Sequence, residues 1–147
     1  MRMTDALRGE HGVFYAMFDH LEQSIDQTAS LEAIRSQAAQ LAAALVPHAR
    51  LENDVLFSRA EAELGSGGPI AVMRAEHDQI EGILSSVGAA ADVVDARRRV
   101  RQTMALAREH FRKEEVVLFP LIEERVPASV LAQLGARWAE ARGVALP

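Results

Sequence analysis

Residues 48–57 read His-Ala-Arg-Leu-Glu-Asn-Asp-Val-Leu-Phe, and residues 110–119 read His-Phe-Arg-Lys-Glu-Glu-Val-Val-Leu-Phe. Each stretch sets a histidine four residues ahead of a glutamate and ends in the same Val-Leu-Phe run. Residues four apart on a helix share nearly one face, so each pair aims an imidazole and a carboxylate at a common point. His11 and His77 share a second repeated context, a preceding glutamate and a following helical apolar pattern. Four histidines and two glutamates in this arrangement make the donor set of a metal site, with enough donors for two ions.

Working outward, apolar residues recur at three-then-four spacing through four segments, the signature of packed amphipathic helices. Near residues 4–27 the stripe is Leu7, His11, Phe14, Phe18, Leu21, Ile25. Near 30–63 it is Leu31, Ile34, Ala38, Leu41, Leu45, His48, Glu52, Val55. Near 69–90 it is Ile70, Met73, His77, Ile80, Leu84, Val87. Near 93–124 it is Val93, Ala96, Val100, Thr103, Ala107, His110, Glu114, Val117, Leu121. The six polar residues do not interrupt the stripes; they occupy core positions within them.

Breaks fall where a bundle needs them. Gly65-Ser66-Gly67-Gly68-Pro69 is a loop whose proline opens the third helix. Thr28-Ala29-Ser30 and Ala91-Asp92 supply turns, with Ser30 and Asp92 as caps. Pro47 is expected to kink the second helix or free a carbonyl there, and Pro120 to bend the end of the fourth. A last helix, about 128–142, carries Val130, Leu131, Leu134 and Trp138 and is expected outside the core. The reading is one all-α domain over 1–147: an up-down-up-down four-helix bundle (about 4–124) with an additional short C-terminal helix. At ~1.5 Å per residue, His11 and His48 then sit at one depth about the first turn, and His77 and His110 match less closely about the last. The two helix pairs read as copies of one unit, offset by 66 residues at His11/His77 and by 62 at His48/His110.

Bulk properties bound the function. The 147 residues suffice for one good core. Few residues are aromatic, and alanine and leucine dominate, which suits helix packing. A net charge of −5 argues against a nucleic-acid partner; Arg97, Arg98, Arg99 and Arg101 cannot share one helix face and read as solvated surface. The absence of cysteine excludes disulfides, thiolate sites and cysteine nucleophiles. No stretch has the apolar length of a signal peptide or membrane span, so a cytoplasmic location and no membrane partner are expected.

Burying six such groups without partners costs several kcal/mol each on an order-of-magnitude scale. Mere intrahelical hydrogen bonds or a watered polar network accounts for one pair more easily than for all six. Imidazole suits iron, zinc, copper and nickel, carboxylate adds a preference for harder ions such as iron and manganese, and six donors exceed what one zinc takes. Ferritin-like bundles instead use Glu-x-x-His with mostly carboxylate donors.

The order His11, His48-x-x-x-Glu52, His77, His110-x-x-x-Glu114, with Leu118-Phe119-Pro120, resembles the hemerythrin-like (HHE cation-binding) domain family over about residues 4–124. The resemblance implies two iron ions in an oxo- or hydroxo-bridged di-iron centre within a four-helix bundle. His11, His48, His77 and His110 are then terminal ligands, and Glu52 and Glu114 the bridges. Two departures stand out. Oxygen-carrying hemerythrins have a histidine four residues after the third-helix ligand, where this sequence has Glu81. They also space the last histidine and carboxylate by five. Here Glu114 lies within about 40° of His110 and Glu115 about 140° away, which favours Glu114 over Glu115.

Tyr15 and Glu81 hold matching places, each four residues after a histidine. Each is either an additional ligand at the site edge or, respectively, a core aromatic and a solvent-facing carboxylate. His20 faces away from His11 and reads as a surface residue; Glu10 and Glu76 read as rim or solvent residues, or as supports behind the ligands. The functional expectation is a stand-alone non-haem di-iron protein that binds oxygen or senses oxygen or iron. The alternatives are a di-iron enzyme removing peroxide, in a catalase- or peroxidase-like way, and an iron-donating repair protein. Repair members carry a cysteine-containing segment that the sequence lacks, which ranks them last. The expected small-molecule partners are oxygen, peroxide or another small oxidant.

Overall fold

The computed structural model describes residues 1–145, and among them every regular element is helical. Helix α1 (Met3–Ser24) ends in a 3-10 turn at Ile25–Gln27. Helix α2 (Leu31–Leu51) runs into a π-helical segment, Glu52–Phe57, and then α3 (Ser58–Leu64). Helix α4 (Gly68–Ser86) ends in a 3-10 turn at Val87–Ala89. Helix α5 (Val93–Lys113) repeats the pattern of the second rod, with a π segment at Glu114–Leu118 and then α6 (Phe119–Arg125). Helix α7 (Ala128–Arg142) packs mainly on α1.

The caps are those the sequence announces. The Ser30 hydroxyl accepts the Ala33 N–H at 3.3 Å, and the Asp92 carboxylate accepts the Asp95 N–H at 2.8 Å. Each satisfies a donor that the first helical turn leaves unpaired. Pro47 does not end its helix, for α2 continues through it to Leu51. Pro120 sits in the first turn of α6, which continues directly from the π segment.

The first three stripes are buried as the periodicity requires, apart from half-buried Leu31; the fourth is corrected. Val117 is 57% exposed, whereas Leu118 and Ile122 take the buried line that Val117 and Leu121 were expected to hold. A π segment closes bonds five residues back, so the apolar stripe below it moves on by one position. The same device lets Val55, Leu56 and Phe57 be buried in succession.

The core is two apolar clusters with a polar layer between them. One gathers Phe14, Phe18, Leu41, Leu84, Val100, Met104 and Phe111. The other gathers Met3, Leu7, Phe57, Ile70, Phe119 and Leu131. Between them lie His11, His48, Glu52, His77, His110 and Glu114, all 0–5% exposed.

The basic cluster is structural. Arg97 donates to the Thr28 carbonyl and Arg99 to that of Ser86, each at 2.7 Å. Arg98 pairs with Asp95, and Arg101 with Asp26. Arg97, Arg99 and Arg101 tie α5 to the ends of neighbouring helices.

Candidate metal centre

Each π segment begins on one of the two buried glutamates, so the ladder widens where a carboxylate must turn inward. His11, His48, Glu52 and Glu114 offer ligand atoms that all lie within 4.8 Å of one another. Glu52, His77, His110 and Glu114 form a second such group. Both glutamates belong to both groups, and each histidine pair to one.

Imidazoles face each other across the layer. His11 Nε2 lies 3.2 Å from His48 Nε2, and His110 Nε2 lies 2.8 Å from His77 Nε2. Donors about 2.1 Å from one octahedral ion are roughly 3 Å apart, which is the spacing found. The carboxylates close the figure: Glu52 Oε2 lies 3.3 Å from His48 and 3.2 Å from His77, while Glu114 reaches His11 and His110 at 3.4 Å.

The outer ring nitrogens settle the tautomers. His11 Nδ1 meets Glu115 Oε1 at 2.9 Å, His48 Nδ1 meets Glu10 Oε2 at 2.6 Å, and His110 Nδ1 meets Glu76 Oε2 at 2.9 Å. His77 Nδ1 meets the amide oxygen of Asn53 at 3.1 Å. These oxygens only accept, so each Nδ1 carries the hydrogen and donates. Each neutral ring then turns its Nε2 lone pair inward. Two inward lone pairs at 2.8 Å repel unless a proton or a metal ion lies between them.

The glutamates show the same want. All four oxygens of Glu52 and Glu114 are buried, and none makes a directed hydrogen bond. Burial works against the charge on Glu52, yet His48, His11 and His77 hold its carboxyl well below the usual range. Burial likewise opposes the charge on His110, but Glu114 in front and Glu76 behind lift its imidazole to about 9. In the metal-free protein, a proton on His110 offsets part of the carboxylate charge. Buried lone pairs and orphaned carboxylates of this kind fit bound metal ions.

The repeated phenylalanines find their reason here. Phe57 stacks on His77 at 5.8 Å, and Phe119 on His11 at 5.7 Å, each floor crossing to the histidine of the other repeat. The carboxylates before the first and third histidines instead stay within their own repeat, Glu10 reaching His48 and Glu76 reaching His110.

Some residues had been read differently. Glu10 and Glu76 are not rim residues; they are partly buried and orient the histidines. Burial opposes the charge on Glu10, but hydrogen bonds from His48 and Arg142 hold its carboxyl at about 2. Trp138 Nε1 also donates to Glu10 at 2.8 Å, and Arg142 Nε at 2.6 Å. Asn53 was not singled out at all, although it holds the same place after Glu52 that Glu115 holds after Glu114. Glu115 lies outside both groups of four, behind His11. Glu81 also lies outside them. Burial and then the charge of Glu115 push the Tyr15 phenol up to about 12, and it donates to Glu115 at 3.3 Å. Glu81 and His20 are exposed.

The sequence matches the family profile of the hemerythrin HHE cation binding domain over residues 2–122. The chain belongs to the hemerythrin HHE family. A protein described as a DNA nickase, from Nostoc sp. (strain PCC 7120 / SAG 25.82 / UTEX 2576), is 26% identical over 134 residues. The match covers 90% of this chain and 37% of that protein, so the chain spans well under half of the relative's length. No solved structure matches. Membership of the hemerythrin HHE family, with two His/Glu groups, makes this a metal-binding protein. Helix α7 begins beyond the matched region, yet through Trp138 and Arg142 it braces Glu10 behind a histidine of the centre. No helix among the described residues is long and apolar enough to cross a membrane.

Proposed function

We propose that the chain is a non-haem di-iron protein that binds oxygen or responds to it. His11 and His48 hold one ion, His77 and His110 the other, and Glu52 and Glu114 reach both. The observation that carries this reading is the pair of buried carboxylates without directed hydrogen bonds, each shared by both groups of four. Mixed imidazole and carboxylate donors, with no sulfur, suit iron. A pair of ferrous ions supplies two electrons, the number that reduces oxygen to the level of peroxide. The chain's own residues fix the rings from behind, stack phenylalanines on two of them and keep bulk water out.

The nicking activity in the relative's name is not carried over. The six groups are 0–5% exposed, and a phosphodiester cannot reach them. The arginine cluster lies on the first part of α5, roughly 15–20 Å along the helix from His110. Its members are engaged with helix ends and carboxylates, as described above.

Iron analysis and visible absorption test the proposal together. Anaerobic loading with Fe2+ is expected to leave two irons per chain. Admitting oxygen should raise a charge-transfer band that vanishes when oxygen is withdrawn. An irreversible change would turn the reading to peroxide or oxidase chemistry. A chain that holds no iron would end it.

A further inference from the structure

Each of the four histidines is held from behind, and only one of those holds leaves the bundle. Glu115, behind His11, takes the Tyr15 hydroxyl from α1, and Glu76, behind His110, takes Lys113 from α5. Glu10, behind His48, is different. Arg142 donates to both of its oxygens, at 2.6 and 3.2 Å, and Trp138 to one of them at 2.8 Å. The hold on His48 is therefore shared with α7, which lies beyond the family-matched region.

Helix α7 is fastened unevenly. In its first half Leu131 and Leu134 are buried, and a Cβ on Gly135 would collide with the Met1 carbonyl. In its second half Ala136, Arg137, Glu140 and Ala141 are exposed, Ala139 is buried, and Trp138 and Arg142 are half-buried. Arg142 also borders two open clefts, one against Val13 and Met17, the other against Arg50 and Asp54. Residues 136–142 are thus held by one methyl group, the indole ring and the polar tie to Glu10. A segment with so few buried contacts opens locally, well before the rest of the fold.

We propose that residues 136–142 form a latch set by the ion at His48, docked firmly when the ion is bound and loosely when it is absent. The ion pins the ring at Nε2, the ring's Nδ1–H then holds Glu10, and Glu10 presents fixed acceptors to Arg142 and Trp138. Without the ion, His48 Nε2 faces His11 Nε2 at 3.2 Å and makes no directed hydrogen bond to Glu52. Arg142 and Trp138 are positioning residues, acting on the ring through Glu10. By reciprocity, whatever the ion adds to the hold on α7, a docked α7 adds to the hold on the ion. The inference rests on the reading above in placing an ion at His48, and adds that its presence is relayed to the surface.

Amide hydrogen exchange on the full chain, metal-free and anaerobically loaded with Fe2+, tests the latch, with iron measured on the same samples. In wild type, iron should slow exchange in residues 136–142 by about tenfold, a usual size for coupled sites. In metal-free protein that exchange should be insensitive to dilute urea, which marks local release; exchange that follows global unfolding overturns the proposal. Arg142→Gln should bind the same amount of iron and lose most of the slowing. Arg137→Gln, which removes an equal charge from the exposed face of α7, should keep it. Iron bound with exchange unchanged or faster, or a full effect in Arg142→Gln, overturns the latch while the metal reading stands. Wild type that binds no iron removes the metal reading and the latch with it. Should Arg142→Gln not fold, Trp138→Phe removes the other donor to Glu10, keeps a ring in place, and should also lessen the slowing.

Discussion

At the residue scale, six polar side chains at core positions were legible in the sequence, and the residues behind them were not. A histidine and a glutamate four apart on an apolar stripe announce themselves, because a buried ionisable pair needs a reason to be there. Asn53 and Glu115 do not, since each lies one residue beyond a glutamate and reaches a histidine of the other repeat. That contact exists only once the helices pack. The two residues make the halves chemically unequal: His11 and His48 are both held by carboxylates, whereas His77 is held by an amide. A carboxylate behind an imidazole raises its basicity and its hold on a cation, and loss of such a partner typically costs about 10–100-fold in metal affinity. Glu115→Gln should therefore weaken the tighter of two Fe2+ binding steps by about that factor, and Asn53→Asp should tighten the weaker one. Anaerobic calorimetric titration reads both steps. Two unchanged steps in both variants would show that these partners do not tune the metals.

At the element scale, four stripes, the caps and the C-terminal helix followed from periodicity and turn chemistry. The π segments did not. They obey no local propensity; Glu52 and Glu114 turn inward while Leu56, Phe57, Leu118 and Phe119 also find the core, and a uniform α-helix cannot place all of them so. The register shift at Val117 is the visible consequence. It gives two neighbouring residues opposite fates, with Leu118 1% exposed and Val117 57% exposed. Leu118→Ala should cost roughly 2–5 kcal/mol through lost burial and the cavity left behind. Val117→Ala should stay within about 0.5 kcal/mol, as surface changes do. Urea unfolding of the two variants decides it, and the reverse ranking would place the stripe where an unbroken α-helix puts it.

At the scale of the whole molecule, the polar layer sits between two apolar clusters, so the metal-free protein has its costliest residues at its centre. Protonation makes the arrangement tolerable. The folded protein lifts His110 from its ordinary 6.5 to about 9. The stability this contributes is therefore fully present below about 6.5 and is lost as pH rises toward 9. Glu10 runs the other way: its carboxyl falls from 4.5 to about 2, so its share is present above about 4.5 and fades as pH falls toward 2. His48 is raised in the same sense as His110, and Glu52 lowered in the same sense as Glu10, so the melting temperature of metal-free protein should be highest between those limits and fall as pH rises from about 6.5 toward 9. Metal replaces the protons. Free Fe2+ at one hundred times its dissociation constant stabilises the fold by about 2.7 kcal/mol, or roughly 5–11 °C in melting temperature for a chain of this size. His20→Ala should keep that gain at neutral pH, since its side chain lies outside the layer. On the proposed di-iron reading His110→Ala removes a donor, and it should lose a large part of that gain. Equal gains in the two variants would mean that the iron sits somewhere other than between the clusters.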